Sequence, residues 1–314
     1  MTGGLLIVGE ALVEVMRPRP GISLDAPGPF VGPFPSGAPA FAADAAARAG
    51  AEVAMVATVG DDPFGNLLMR RLSANGVNTS GMRVTGDAVT GVAFVAYDDA
   101  GGREFVFHAA DAAPSRISPA DLGSMPEEAA WLHVSGSSLI LSESLADTVL
   151  AAVERVLGAG GRVSFDPNLR IGSAGASAPP AGFDRLAEVA SLVLPSEGEL
   201  EPLGTDATSL ASTGTVVCET LGRDGARLHH GGTVTTVAGT PTEQVDPTGA
   251  GDAFSGTFLA VYMRSGDPVL AAHEANTAAA AHVEALGPME SGSLPLDRDS
   301  QVGTEYGAPG GAHD

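Results

Sequence analysis

The chain has 314 residues, 44% of them hydrophobic, which suits one large α/β domain with a sizeable core. All 16 positive charges are arginines, and 38 acidic residues leave a net charge of −22, which counts against nucleic acid or an anionic membrane surface as a partner. The absence of lysine excludes a Schiff-base lysine and the lysine-bearing phosphate loop, and the single cysteine, Cys218, excludes an intrachain disulfide.

Strands and helices alternate along the chain. Short apolar runs predict strands buried on both faces, at Leu5–Val8, Val53–Val59, Trp131–Val134, Arg162–Phe165, Leu192–Leu194 and Thr215–Cys218. Helices are predicted at Pro39–Ala49, Phe64–Asn75, Ser142–Gly158, Glu197–Leu203, Asp206–Ser212, Gly251–Arg264 and Pro268–Ala285. This alternation predicts an α/β fold, a doubly wound and mostly parallel sheet flanked by helices. Because no basic leader and no apolar run of about 18 residues occurs, we expect a cytoplasmic protein.

Two stretches interrupt this alternation. Residues 10–35 are rich in Pro and Gly, and residues 82–108 contain two alternating runs, Val92–Tyr97 and Glu104–Phe107, joined by a turn-like segment. A hairpin cannot form a parallel crossover, so both stretches predict a small β-sheet, which we interpret as a lid. We expect residues 1–289 to form one domain with this lid, and residues 290–314 to form a flexible tail.

The strongest functional signal is VDPTGAGDAFSGTF at residues 245–258. Its small-residue turn, Gly249-Ala250-Gly251, runs into an amphipathic helix, and the amides of a helix N-terminus form a ready anion site. A carboxylate at this point, Asp252, indicates a base that acts on a neutral hydroxyl while that hydroxyl attacks a bound phosphoryl group. The alternative is that Asp252 only caps the helix.

Two segments near the N-terminus are weaker signals. FPSGAPAFAAD at residues 34–44 places Ser36-Gly37 before a helix, and TVGDDPFG follows at residues 58–65. Taken singly, each also fits a tight turn and a capped helix.

The ends of later strands carry further polar residues. SFDPNLR at residues 164–170 ends a strand where ligands bind in open α/β sheets, and Arg170 could hold a phosphate or carboxylate. In LPSEGE, Glu199 could organise a hydrated metal, and in TLGRDG the glycines Gly222 and Gly225 could pass beneath a nucleotide. The alternative for SFDPNLR is an Asn/Pro turn with a surface arginine, and for LPSEGE and TLGRDG it is an ordinary loop.

In order and spacing, these segments together resemble the ribokinase-like (PfkB) carbohydrate kinases from about Leu5 to Gly287. SGAPA with VGDDPFG, and DPTGAGDAFSG, look like the two signatures of that family. The resemblance is nearest to the ketose (tagatose and fructose) kinases and the 2-keto-3-deoxygluconate kinases. It implies an ATP- and Mg²⁺-dependent kinase that phosphorylates a primary hydroxyl of a small sugar beneath the lid, and it leaves open a homodimer formed through the lid.

The resemblance also implies roles for individual residues. Asp252 is the expected catalytic base, and Gly249, Ala250 and Gly251 are the expected anion hole. The residues expected to bind the sugar are Glu14, Gly37, Ala38, His108, Asn168, Arg170 and Asp252. Those expected to bind ATP are Ser196, Glu199, Thr220, Gly222, Gly225 and Asn276. Glu199 is also expected to order Mg²⁺, and Asp246 and Thr248 lie where some members bind a monovalent cation such as K⁺.

The chain departs from the family pattern at several of these positions. Ser196 stands where the family has Asn, Ser36 replaces the first glycine of a Gly-Gly pair, and Phe41 replaces an Asn that binds sugar. Glu14 is one methylene longer than the usual Asp.

The identity of the sugar is predicted from one further departure. The keto-acid kinases place an arginine where this chain has His108, which is a weaker partner for a carboxylate. We therefore expect a neutral ketose. The alternatives are a 2-keto-3-deoxygluconate kinase, a nucleoside kinase, or a non-catalytic sensor of sugar or nucleotide.

Overall fold

The computed structural model describes residues 3–99, 102–169 and 181–290. Within these ranges the strands are β1 Leu5–Val8, β2 Leu12–Met16, β3 Val31–Ser36, β4 Val53–Gly60, β5 Asn78–Thr85, β6 Gly91–Tyr97, β7 Arg103–His108, β8 Trp131–Ser135, β9 Arg162–Asp166, β10 Leu192–Val193, β11 Val216–Thr220, β12 Gly225–His230 and β13 Thr233–Ala238. The α-helices in the same ranges are α1 Ala38–Arg48, α2 Pro63–Ala74, α3 Met125–Glu128, α4 Ser137–Leu141, α5 Glu143–Gly158, α6 Phe183–Val189, α7 Ala207–Ser212, α8 Ala250–Ser265 and α9 Pro268–His282. None of these helices is long and apolar enough to cross a membrane.

The main sheet has nine strands in the order β13-β12-β11-β10-β9-β8-β1-β4-β5. Neighbouring strands from β11 to β5 are parallel, whereas β12 and β13 are added antiparallel at one edge. Every residue of β1 and β4 is buried, as expected for strands that have helices on both faces. The predicted doubly wound, mostly parallel sheet is therefore confirmed.

Helices cover both faces of this sheet and form two apolar cores. One core contains residues of α1, α8 and α9, including the buried rings of Phe41 and Phe258. The other contains residues of α5 and α6, and in it Phe165 meets Phe183 edge to face, with ring centroids 5.5 Å apart. The two layers fix the start of α8 and the ends of the parallel strands at one edge of the sheet.

The small sheet has the order β3-β2-β6-β7. β2 and β6 are parallel, and the other two pairs are antiparallel. β6 and β7 form the predicted hairpin, whose turn includes residues 100 and 101, outside the described residues. Residues 78–85 instead form β5 at the edge of the main sheet, so the later part of the small sheet begins at Gly91 rather than at residue 82.

Several local predictions differ from the structure. The segment Glu197–Leu203, predicted as a helix, forms a turn followed by a short 3₁₀ helix at Glu201–Leu203, because Gly198 adopts a left-handed conformation with φ of 84°. The strands β5, β12 and β13 were not predicted. They lie at the two ends of the main sheet and are exposed in part, so they lack the uniform hydrophobicity of the inner strands.

Asp62 caps α2 and ties it to the segment that leads into β6. Its Oδ1 accepts the backbone N–H groups of Phe64 and Gly65 at 3.0 and 2.9 Å and the hydroxyl of Thr90 at 2.8 Å. Its Oδ2 accepts the N–H of Thr90 at 2.7 Å. Burial opposes ionisation, but these hydrogen bonds outweigh it and lower the pKa of Asp62. In TVGDDPFG, this aspartate therefore has the capping role of the alternative interpretation.

Replacing Asp62 with alanine should lower the free energy of unfolding by about 2 kcal/mol, the upper end of measured N-cap losses, because the cap and the tie to Thr90 are lost together. Since the pKa of Asp62 is lowered in the folded state, this contribution is present near neutral pH and is lost as the pH falls through the folded pKa. Urea unfolding of the variant across this pH range measures both effects. Asp61→Ala, which removes an exposed neighbouring carboxylate, is the matched control. A wild-type midpoint for Asp62→Ala at neutral pH would contradict the prediction.

Candidate active site

The start of α8 meets the ends of β8 and β9 at the carboxyl edge of the main sheet. Asp252 lies in the first turn of α8 and is partly exposed. Asn168 follows β9 in a left-handed conformation with φ of 42°. Its Nδ2 lies 3.5 Å from Oδ1 of Asp252 and 3.4 Å from Oγ of Ser135, the last residue of β8. An amide donor therefore lies beside the carboxylate that the sequence singles out as a base.

The turn before α8 is fixed by packing against α1. Gly249 has a φ of 80°, and a Cβ at this position would lie 2.7 Å from the ring of Phe41. On the next turn of the helix, the hydroxyl of Ser255 donates to Oδ2 of Asp166 at 3.0 Å. The first amides of the helix, which have no acceptor within it, are thus fixed at the sheet edge and could bind an anion.

Asp166 and Glu199 form a pair of carboxylates at the same edge. Oε2 of Glu199 accepts the N–H of Ser196 at 2.8 Å, and the N–H of Leu169 also hydrogen bonds to this carboxylate. Burial raises the pKa of Asp166, and burial together with the charge of Asp166 raises the pKa of Glu199.

This pair fits Mg²⁺, a hard cation that binds carboxylate oxygens and offsets their mutual repulsion. Among the described residues, no group of three or more His, Cys, Asp or Glu side chains is arranged to hold a metal. The remaining ligands of a Mg²⁺ ion at this pair would therefore be phosphate oxygens and water, as is usual for Mg²⁺ in phosphoryl-transfer sites.

The turns after β10 and β11 lie side by side. The hydroxyl of Thr220 donates to Oγ of Ser196 at 3.3 Å, and the N–H of Glu197 donates to the carbonyl of Thr220 at 3.0 Å. Gly222 is exposed with open space where a side chain would lie, so a planar group could approach it. Gly225 has a packing role, because a Cβ there would lie 2.2 Å from the carbonyl oxygen of Val237.

Two further residues that were expected to bind ligands are Asn276 and Arg170. Asn276 is buried on α9, where its Nδ2 donates to the carbonyl of Ala238 at 3.1 Å and so ties the helix to β13. Arg170 lies outside the described residues. A contact of either with a ligand stays a prediction.

The small sheet carries Glu14 and His108 on opposite faces. Glu14 on β2 pairs with Ala93 on β6, whereas His108 on β7 pairs with Val92. Neighbouring residues of a strand point to opposite faces, so one small ligand lying on one face cannot contact both side chains. Glu14 is buried and accepts the hydroxyl of Ser36 at 3.2 Å, whereas His108 is exposed.

The remaining predicted residues lie around α1 and α8. Gly37 has a φ of 106° and precedes Ala38, the first residue of α1. A Cβ on Gly37 would lie 2.7 Å from the carbonyl oxygen of Glu10, so this turn requires glycine. Asp246 and Thr248 lie in the turn before α8, where Oδ1 of Asp246 accepts the N–H and the hydroxyl of Thr248 at 2.9 and 2.7 Å.

Sequence reasoning missed Asp166 and Ser135. Each is the last residue of a parallel strand, so the rule that singled out Asn168 could also have found them. Ser135 continues a row of hydrogen bonds, because its hydroxyl contacts that of Ser137 at 2.9 Å, and Ser137 donates to buried Glu10 at 2.7 Å. These hydrogen bonds connect Glu10, which lies between β1 and β2, with Asn168, the residue beside Asp252.

Comparison with known proteins identifies relatives along most of the chain. The profile of the pfkB family carbohydrate kinases matches residues 5–295. A fructokinase from Klebsiella pneumoniae is 33% identical over 319 residues, covering 96% of this chain and 99% of that protein. Fructokinase-1 from Oryza sativa subsp. japonica is 36% identical over 262 residues, covering 80% of each chain.

Solved structures with a similar fold also match most of the chain. An E. coli protein provisionally called ribokinase II, in complex with ATP and Mg²⁺, has a TM-score of 0.83 and 34% identity, covering 93% of this chain and 96% of that one. A fructokinase from Vibrio cholerae O395 with bound fructose, ADP and calcium has a TM-score of 0.78 and 28% identity, covering 92% of this chain and 96% of that one.

Replacing Glu199 with glutamine should stabilise the ligand-free protein at pH 8, because it removes the charge of this half-buried carboxylate, which is raised in energy by the charge of buried Asp166. We expect a gain of roughly 1 kcal/mol, since each unit of raised pKa corresponds to about 1.4 kcal/mol before solvent screening. The cost of the ionised pair accumulates as the pH rises from 4.5, the ordinary value of a glutamate, to about 7, and is complete above it. Thermal unfolding at several pH values, with and without Mg²⁺, measures the effect.

Glu197→Gln, on the exposed part of the same turn, is the matched control and should change neither stability nor the response to Mg²⁺. The stabilisation of the wild type by Mg²⁺ should be larger than that of Glu199→Gln. A Glu199→Gln protein that is less stable than the wild type at pH 8 would show that the two carboxylates do not repel each other.

Proposed function

The chain belongs to the pfkB family of carbohydrate kinases, and we propose that it transfers the γ-phosphoryl group of ATP to a primary hydroxyl of a neutral ketose, with fructose as the first candidate. The observation that carries this proposal is Asp252 in the first turn of α8, directly after the Gly249–Gly251 turn and next to Asn168. Phosphoryl transfer to a neutral hydroxyl needs a base for the hydroxyl proton and an anion-binding turn for the phosphoryl group. Both lie at this end of α8. The names of the relatives, fructokinases from bacteria and plants, support fructose.

Asp252 is the group that accepts the proton of the sugar hydroxyl. The amide of Asn168 donates toward Oδ1 of Asp252 and orients the carboxylate for this transfer. As the hydroxyl oxygen attacks the γ-phosphorus in line, charge on the transferring group is stabilised by the amides of the Gly249–Gly251 turn and by the positive end of the α8 dipole. These donors are already in position before the reaction, so no reorganisation is required of them.

ATP would lie along the turns that contain Ser196, Thr220 and Gly222. Asp166 and Glu199 would hold Mg²⁺, which when bound neutralises charge on the phosphates. The E. coli neighbour with ATP and Mg²⁺ supports both ligands. Ionised Asp166 and Glu199 are needed for the metal, so Mg²⁺ binding should strengthen as the pH rises through their raised pKa values.

The small sheet would cover the sugar and exclude water that would otherwise hydrolyse ATP. Glu14 on β2 and the Gly37-Ala38 turn at the start of α1 are the residues proposed to hold its hydroxyls. β7 leaves its outer edge open, with the side chain of Phe107 48% exposed, and a homodimer formed through the lid would use this edge. The molar mass in solution tests that association.

The contacts of Arg17 and Arg103, near the small sheet, favour a neutral sugar over an acidic one. An acidic sugar enclosed under a lid needs a permanent positive partner to offset its desolvation. The guanidinium of Arg17 donates to backbone carbonyls, including those of Ser23 and Pro29, and that of Arg103 lies over the ring of Tyr97 at 5.6 Å. The guanidinium of Arg17 therefore has partners in the loop between β2 and β3, and that of Arg103 has one on β6.

Asp252→Asn should lower kcat by roughly 10² to 10⁴, the usual contribution of a general base, with little change in stability because asparagine is nearly isosteric and also tolerated at helix starts. The KM for ATP should stay close to the wild-type value. Steady-state kinetics with fructose measure both parameters. Asp267→Asn, at the cap of α9, is a control of the same chemical change away from the site. Turnover near the wild-type rate in Asp252→Asn would eliminate the mechanism.

The substrate class is tested by kcat/KM for fructose, tagatose, 2-keto-3-deoxygluconate and a set of nucleosides. We expect a neutral ketose to be preferred, because Arg17 and Arg103, which could offset the desolvation of the acid's carboxylate, already have partners of their own. A clear preference for the acid or for a nucleoside would contradict the proposed substrate, whereas binding without turnover of any of them would point to the non-catalytic alternative.

A further inference from the structure

Tyr97 at the end of β6 joins the tip of the small sheet to the main domain. Its hydroxyl donates a hydrogen bond to Oδ1 of Asp246 at 2.9 Å and contacts the hydroxyl of Thr248. Asp246 and Thr248 precede the Gly249–Gly251 turn directly. One side chain of the proposed lid is therefore bonded to the segment that shapes the proposed anion hole.

The oxygens of this segment are already occupied by donors. Asp246 is only 1% exposed, and besides Tyr97 its Oδ1 accepts the N–H and hydroxyl of Thr248, while its Oδ2 accepts the N–H of Gly287 at 2.9 Å. The carbonyl of Thr248 accepts Nε2–H of His282 at 2.6 Å. A buried carboxylate needs such compensation, and here the chain supplies it with its own N–H and O–H groups.

This arrangement does not fit the monovalent cation expected from the resemblance. A hard cation binds several oxygens whose lone pairs converge on it. The carboxylate of Asp246 and the carbonyl of Thr248 would be among those oxygens, but both accept hydrogen bonds from protein donors. A cation bound at Oδ1 of Asp246 would have to displace one of its three donors, of which the Tyr97 hydroxyl is the one supplied by the small sheet.

Tyr97 is suited to remain a donor. Burial, followed by the nearby charge of Asp246, raises the pKa of its hydroxyl far above the ordinary value of a tyrosine. The hydroxyl therefore keeps its proton throughout the neutral range. The contact also joins residues 149 positions apart in the chain, so it forms only when the small sheet lies against the main domain.

We propose that the Tyr97 hydroxyl, in place of a monovalent cation, holds Asp246 and so couples closure of the small sheet to the shape of the Gly249–Gly251 turn. Tyr97 is a positioning residue, because it acts on the turn through Asp246 and Thr248. The kinetic consequences rest on the proposed kinase function. The hydrogen bond and its effect on the small sheet do not depend on which substrate is used.

The first test is hydrogen–deuterium exchange of the ligand-free protein. Tyr97→Phe removes only the hydroxyl, and the backbone amides of β6 and β7 should exchange roughly tenfold faster or more, the effect of losing one hydrogen bond to a charged group. Tyr262→Phe is the matched control. The ring of Tyr262 packs on Trp131 and Phe258 against the core of the main domain, so loss of its hydroxyl should leave the amides of β6 and β7 unchanged. Wild-type exchange of β6 and β7 in Tyr97→Phe would overturn the proposal.

The second test compares K⁺ with tetramethylammonium at equal ionic strength. The thermal midpoint of the ligand-free wild type and its rate of sugar phosphorylation should be the same in both salts. Stabilisation or activation that is specific to K⁺ would overturn the proposal, because it would place a cation where the hydroxyl is proposed to act.

The third test uses the partition between sugar phosphorylation and ATP hydrolysis. If the hydroxyl couples closure to the turn, Tyr97→Phe should lose roughly tenfold or more in kcat for the sugar and hydrolyse relatively more ATP, because water enters the looser site. A variant that is merely less stable would keep the wild-type partition below its unfolding temperature, and that result would overturn the coupling. Failure of the proposed function is distinct, since wild type would then phosphorylate no sugar while the exchange result would stand.

Discussion

The close packing of α1 against α8 is the constraint on which the candidate site depends. A Cβ at Gly256 would lie 2.3 Å from the carbonyl oxygen of Ala42, so the two helices can approach as they do only where α8 carries no side chain. The ring of Phe41 lies against Gly249, about two helical turns before Gly256. Part of the GAGDAFSG motif is therefore required for packing, and this packing holds Asp252 and the turn before it at the edge of the sheet.

Three acidic side chains lie at this edge of the main sheet. Asp166, Glu199 and Asp252 lie near one another, and each carboxylate receives donors from a neighbouring element, such as Ser255 for Asp166 and Ser196 for Glu199. The raised pKa values of Asp166 and Glu199 show that these donors do not fully offset burial and repulsion. A site of this kind is most stable when a divalent cation is present, which agrees with a reaction on the charged phosphates of ATP.

The small sheet is held at both ends. At its root, Glu10 lies in the connection between β1 and β2 and accepts the hydroxyls of Ser137 and Ser138 at 2.7 and 2.6 Å. At its tip, Tyr97 reaches Asp246 across that interface. If the small sheet acts as the proposed lid, opening it would break the contact of Tyr97 with Asp246, while a hinge near Glu10, where the chain enters β2, would absorb the motion.

Local patterns in the sequence determined the inner strands, the capped helices, the turn before Asp252 and, through the joint motifs, the family. Those patterns report burial, helix starts and glycine requirements, all of which are properties of short segments. They could not reveal β5, β12 and β13, whose partial exposure depends on their position near the two ends of the main sheet. They also could not reveal the opposite faces of Glu14 and His108, which depend on strand register. The pairing of Asp166 with Glu199 and of Tyr97 with Asp246 was decided only by the tertiary structure, because contacts between distant segments depend on how whole elements pack and leave no trace in either segment alone.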